Sequence, residues 1–147
     1  MSQATEAAVS PIDADGYHRI QQFYASQMHL LDEGRAQQWA ETFAPEGVFS
    51  ANAQPEPVRG RAAIAAAAAR TVAGLAAEGV QRRHWIGMLD ATADGDRVRV
   101  RSYALIFETP AAGAASLRMS TLCVDTLIPE AGSWLVLERV VTRDDLR

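Results

Sequence analysis

The chain changes its hydrophobic period halfway along, and that change restricts the fold more than any other feature. Up to about residue 77 the apolar residues recur at three- and four-residue steps, whereas beyond Gly79 they alternate through runs of ten or more residues. Tyr17, Ile20, Tyr24, Met28 and Leu31 mark a first amphipathic helix, with Asp15 as its N-cap and Gly34 as its stop. Ala36, Trp39, Ala40 and Phe43 form one stripe of a second helix over 35–43, which Pro45 ends. Residues 47–50 read as a short strand and 52–57 as a polar, proline-marked loop. The alanine-rich stretch 61–77, anchored by Ile64, Val72 and Leu75, reads as a third helix of high intrinsic propensity.

Four β-type runs follow, over 81–93, 97–107, 116–128 and 133–142. Asp94-Gly95 is a strong hairpin signal between the first two, and the other joints carry Pro110 with Gly113 and Pro129 with Gly132. Helices followed by consecutive strands predict an α+β domain, three helices packed on one face of a strongly curved antiparallel sheet. Alternation then assigns the faces. Arg97, Arg99 and Arg101 share the outer one, which places Val98, Val100, Ser102, Ala104 and Ile106 inside. By the same count Arg118 points out and Met119, Thr121 and Cys123 point in. The arginine row is thereby read as a solvated or interface surface. A broad sheet open on one side predicts a homodimer through that convex face, at or beside Arg97, Arg99, Arg101 and Tyr103.

A length of 147 residues provides one core, so the organisation expected is a flexible tail over 1–10 and a single domain over 11–147. The N-terminal run has no basic start and no long apolar stretch, which argues against a signal peptide, and no segment is long enough to span a bilayer. The single cysteine, Cys123, cannot form an internal disulfide and fits a reducing, cytoplasmic setting. A net charge of −4 argues against a nucleic-acid partner. All 14 basic residues are arginines, and without lysine neither Schiff-base chemistry nor a pyridoxal phosphate linkage is open to the chain. No H-x-H, H-x-x-x-H or paired-cysteine spacing suggests a metal, and no G-x-S-x-G elbow, P-loop or dinucleotide fingerprint occurs. The chemistry expected is therefore cofactor-free and metal-free.

Of three histidines, His18 and His29 fall opposite the apolar stripe of the first helix. His84 differs, because period-two counting sets it on one strand face with Ile86 and Met88. Asp32 closes the first helix, where a carboxylate opposes the macrodipole at a local cost that its neighbour Glu33 shares. Were it to lean toward His84, it would fix the imidazole tautomer and favour its protonated form, as a general base requires. Tyr24 is a core aromatic by its spacing, and a donor to a ligand if it leans into the cavity.

Several phrases, in this order, resemble the SnoaL-like family of the nuclear transport factor 2-like superfamily. They are Leu31-Asp32-Glu33-Gly34 followed by Trp39, Phe43-Ala44-Pro45, Arg59-Gly60-Arg61 opening a helix, Arg82-Arg83-His84-Trp85-Ile86-Gly87, and Gly132-Ser133-Trp134 running to Arg139-Val140-Val141. The resemblance implies a cone-shaped α+β barrel. Likeness to scytalone dehydratase implies a catalytic role for Asp32 and His84 and pocket positions at Thr121 and Cys123. The match is incomplete: that enzyme's two water-holding tyrosines fall at Leu31 and Ala51, and its second histidine at Glu108. Resemblance also reaches bacterial proteins of aromatic polyketide pathways. It implies a cofactor-free lyase, cyclase or isomerase acting on a hydrophobic aromatic intermediate. His84 and Asp32 would be catalytic, with Tyr24, Ile86, Met88, Met119, Thr121 and Cys123 as the substrate-binding residues. Two other readings stay open here: a protein that binds and protects such an intermediate, and a small structural subunit of a ring-hydroxylating oxygenase.

Overall fold

A computed structural model describes residues 9–147. Its order is β1 (Val9–Pro11), α1 (Ala14–Asp32), α2 (Ala36–Ala40), β2 (Phe43–Ala51), β3 (Val58–Arg59), α3 (Arg61–Glu78), β4 (Val80–Asp94), β5 (Arg97–Pro110), β6 (Ser116–Glu130), β7 (Ser133–Arg143) and a closing 3-10 turn, Asp144–Leu146. The tail expected over 1–10 lies mostly outside the described residues, but its last two residues belong to β1, which pairs with the far end of β4.

Each helix differs from its sequence reading for a local reason. Asp13, not Asp15, caps α1: its extended backbone lets the carboxylate accept from Gly16 N at 2.8 Å. Asp15 lies inside the first turn, paired with Arg19 one turn on. Glycine at position 34 adopts φ 81° and stops the helix as expected. The second helix is shorter than 35–43, because Phe43 already starts β2. Pro45, which has no N–H to donate, falls where the β2–β7 register shifts between Phe43 and Val48.

All seven strands form one sheet, ordered β1-β4-β5-β6-β7-β2-β3. β4 through β7 is an antiparallel meander, but β2 runs parallel to β7, a correction to the wholly antiparallel sheet expected. Bulges interrupt β4 against β5, β5 against β6 and β6 against β7. Each extra residue bends its strand and increases its twist, so strands of 14 and 15 residues curve around the helices. Val98, Val100, Ser102, Ala104 and Ile106 are buried while Arg97, Arg99, Arg101 and Tyr103 are exposed, the alternation expected of β5. Ile20 of α1, Phe43, Ile64 of α3, Val100, Leu127 and Val136 are fully buried between the layers. No helix among the described residues is long and apolar enough to cross a membrane.

Candidate functional site

The helices and the concave sheet face enclose a cavity of about 590 Å³. Its wall is mostly apolar, with Met28, Leu31, Phe49, Ile64, Val72, Ile86 and Ile106 among its residues, and two polar clusters interrupt it.

The first joins the end of α1 to the start of β4. Asp32 takes the backbone N–H of His84 on Oδ2 at 2.9 Å and meets the ring Nδ1 on Oδ1 at 2.6 Å. Gln81 adds a third tie, donating to the Asp32 carbonyl at 3.0 Å. A carboxylate at a helix C-terminus is disfavoured by the dipole, and these contacts are its compensation. An ionised carboxylate only accepts, so Nδ1 carries a proton, and in the neutral imidazole Nε2 is the acceptor. Both side chains are largely buried, 8 % exposed for Asp32 and 14 % for His84, and both line the cavity.

The second cluster is buried more completely. Asp125 of β6 receives Arg139 Nε on Oδ1 at 2.9 Å, and Arg139 Nη2 on Oδ2 at 2.8 Å. The Tyr24 hydroxyl donates to the same Oδ2 at 2.6 Å. Nη2 of Arg139 also donates to Gln27 Oε1 at 2.7 Å, and the Gln27 amide passes on to Thr42. None of Tyr24, Gln27, Asp125 and Arg139 is more than 5 % exposed. Burial, then the Asp125 charge, pushes the Tyr24 phenol well above its ordinary range, although Arg139 pulls the other way. The Cys123 thiol is also raised by burial, with Arg139 opposing. Burial alone would weaken the hold of Arg139 on its proton, but the charge and hydrogen bonds of Asp125 outweigh it and raise its pKa further.

Tyr24, Ile86, Thr121 and Cys123 line the cavity, though the Tyr24 hydroxyl proton is committed to Asp125. Thr121 donates to the Ala104 carbonyl at 2.9 Å. Two expected contacts need correction. Met88 and Leu89 together oppose a single residue of β5, which turns Met88 out of the sheet at φ 55° and leaves it 75 % exposed. Leu89 and Ala91 pack against the core beyond that point. Met119 is half-buried beside the β6 bulge at Arg118 and does not line the cavity. Glu108 is held between Arg82 and Arg118, outside the lining. His18 and His29 are exposed. Among the described residues no three His, Cys, Asp or Glu side chains gather as a metal would require.

The sequence reading missed Gln27, Asp125 and Arg139 as site residues. Asp125 continues the inward count of Thr121 and Cys123, so its signal was a charge on an inward face. Arg139 had no such signal: Leu137 is an extra residue in β7, and simple alternation from Val136 would turn Arg139 outward.

The sequence profile of the SnoaL-like domain family matches residues 13–140. The fold is similar to that of Aln2 from a Streptomyces species, at 33% identity and a TM-score of 0.85 over 93% of this chain and 96% of that one. A protein from Catenulispora acidiphila, solved in complex with S-DNPA, is 34% identical with a TM-score of 0.78 over 90% and 96% of the two chains. At 23% identity, an NTF2-like protein with a cystatin-like fold from Novosphingobium aromaticivorans shares the fold alone, with a TM-score of 0.76 over 89% and 83%. A comparison with curated proteins found no match.

Proposed function

We propose, for a chain that belongs to the SnoaL-like domain family, a cofactor-free lyase, cyclase or isomerase that moves a proton beside a carbonyl of a hydrophobic aromatic, polyketide-type compound. The observation that carries this reading is the two-point grip of Asp32 on His84 at the wall of an apolar cavity. His84 Nε2 is the base. Asp32 holds the ring in one tautomer and stabilises the imidazolium formed when Nε2 takes the proton. The apolar wall excludes water and strengthens these interactions, and the same imidazolium returns the proton during loss of water or ring closure. The complex of the Catenulispora acidiphila relative with S-DNPA supports reading the cavity as a ligand site.

A second reading, a binding protein that shields a reactive intermediate, is favoured by one observation. Leu31 and Ala51 stand where the dehydratase it resembles has tyrosines for the leaving water. Mass spectrometry of a ligand that co-purifies in the cavity, followed by kinetics on that compound, separates the two. His84→Ala and Asp32→Asn should each lower turnover about a hundredfold or more with affinity nearly intact. In the binding reading His84→Ala instead weakens affinity by about 1–3 kcal/mol, with no turnover to lose.

The assembly that fits this chain is a homodimer through the convex face. Trp85 and Tyr103 stand 69 % and 55 % exposed in adjacent rows there, beside Arg101. A monomer by sedimentation at micromolar concentration would oppose it.

A further inference from the structure

The buried cluster leaves one donor unused. Arg139 is 5 % exposed and lines the cavity. Its Nε and Nη2 are committed to Asp125 and Gln27. Nη1 makes no hydrogen bond among the described residues, yet unlike Trp39 Nε1 it is not sealed from contact. The guanidinium is fixed in its plane by the two-point contact with Asp125, and lies 5.9 Å from the ring centre of Tyr24 and 5.4 Å from that of Phe43. A guanidinium nitrogen fixed in a cavity wall, with both its protons unclaimed, is a donor presented to whatever fills the cavity.

Charge selects what this donor receives. Asp125 already neutralises Arg139, and both are buried. A ligand carboxylate would bring an uncompensated charge into a dry wall, which is costly. A ring carbonyl or phenol oxygen accepts the same hydrogen bond and adds no charge. Resting on the reading of the cavity as a ligand site, we propose that Arg139 Nη1 anchors a neutral oxygen acceptor, a ketone or quinone carbonyl or a phenol oxygen, at the buried end of the ligand. Arg139 is thereby a specificity-determining residue, separate from the proton-transfer pair.

Three small probes of one skeleton test this: 2-tetralone, tetralin without the oxygen, and 1,2,3,4-tetrahydro-2-naphthoate. Dissociation constants are measured for the wild type, for Arg139→Lys, and for the paired Arg139→Met, Asp125→Leu variant. The pair leaves no buried charge alone, which avoids the penalty that a single truncation carries. The preference for 2-tetralone over tetralin should fall about tenfold or more in both variants, with tetralin affinity unchanged. An unchanged preference in either variant overturns the proposal. So does Arg139-dependent binding of the naphthoate that is tighter than that of 2-tetralone. Should both variants fail to fold, a crystal structure of the wild type with 2-tetralone decides. Its oxygen on Nη1 supports the proposal, and its oxygen elsewhere overturns it. Arg99→Ser, on the outer face, should keep the preference intact. A wild type that shows the preference but does not accelerate deuterium exchange beside the 2-tetralone carbonyl defeats the catalytic reading and leaves this one standing.

Discussion

The two polar clusters of the cavity differ in how completely their hydrogen-bonding atoms are paired. The Asp32–His84 pair sits where α1 meets β4, next to the exposed Glu33 and Gln81, and leaves Nε2 open. The Tyr24–Asp125–Arg139–Gln27 cluster is tied together from α1, β6 and β7, and both oxygens of its carboxylate are occupied. A group that exchanges protons needs one unfilled atom facing the ligand and one partner to hold it. A group that fixes geometry has its carboxylate filled from several elements, and this second cluster clamps the helix layer to two strands. The comparison teaches that a charge in a cavity wall is not by itself a catalytic residue; what separates the roles is that the open atom of the first cluster, His84 Nε2, can accept a proton, whereas that of the second, Arg139 Nη1, only donates.

The sharpest way to break that contrast is to remove the centre of the clamp. Asp125→Ala leaves the Arg139 guanidinium buried without its counter-charge, and should cost about 3–5 kcal/mol of stability in urea unfolding. A loss below about 1 kcal/mol would mean that the cluster is no clamp. Tyr24→Phe removes a single hydrogen bond to the same carboxylate and should cost about 1–2 kcal/mol.

The pH dependence carries a sign that follows from burial. Tyr24 and Cys123 are both raised in the folded chain, so the folded state favours their neutral forms. Their stabilising effect is complete below the ordinary values of 9.0 for the thiol and 10.0 for the phenol, and is lost as pH climbs above them. Unfolding midpoints from pH 8 to about 11 should therefore fall for the wild type. The decline should be shallower in Tyr24→Phe and in Cys123→Ala; parallel curves would contradict the account. The smallest effect belongs to the outer face. Arg99→Ser, on an exposed strand position, should shift stability by no more than about 0.5 kcal/mol and leave ligand binding unchanged.

How much of this was legible in the sequence depends on where the strands keep their period. Asp32 and His84 could be brought together because helical spacing holds to the end of α1 and alternation holds from His84 to Ile86, ahead of the β4 bulge. Met88 lies in that bulge and was misplaced. Asp125 was within reach of the alternation that found Thr121 and Cys123, whereas Arg139 was hidden by the extra residue at Leu137. The parallel pairing of β2 with β7 has no local signature, since it joins segments about ninety residues apart and depends on tertiary packing.

The central claim is that His84 Nε2 takes a proton from carbon beside a carbonyl. Deuterium wash-in at the C1 methylene of 2-tetralone, followed by proton NMR in deuterated buffer, tests it without knowledge of the native substrate. Exchange should run faster than in buffer with the wild type, fall about a hundredfold or to the buffer rate in both His84→Ala and Asp32→Asn, and be retained in Cys123→Ala. Wild-type protein that binds 2-tetralone without accelerating exchange, or His84→Ala that exchanges at the wild-type rate, would contradict it.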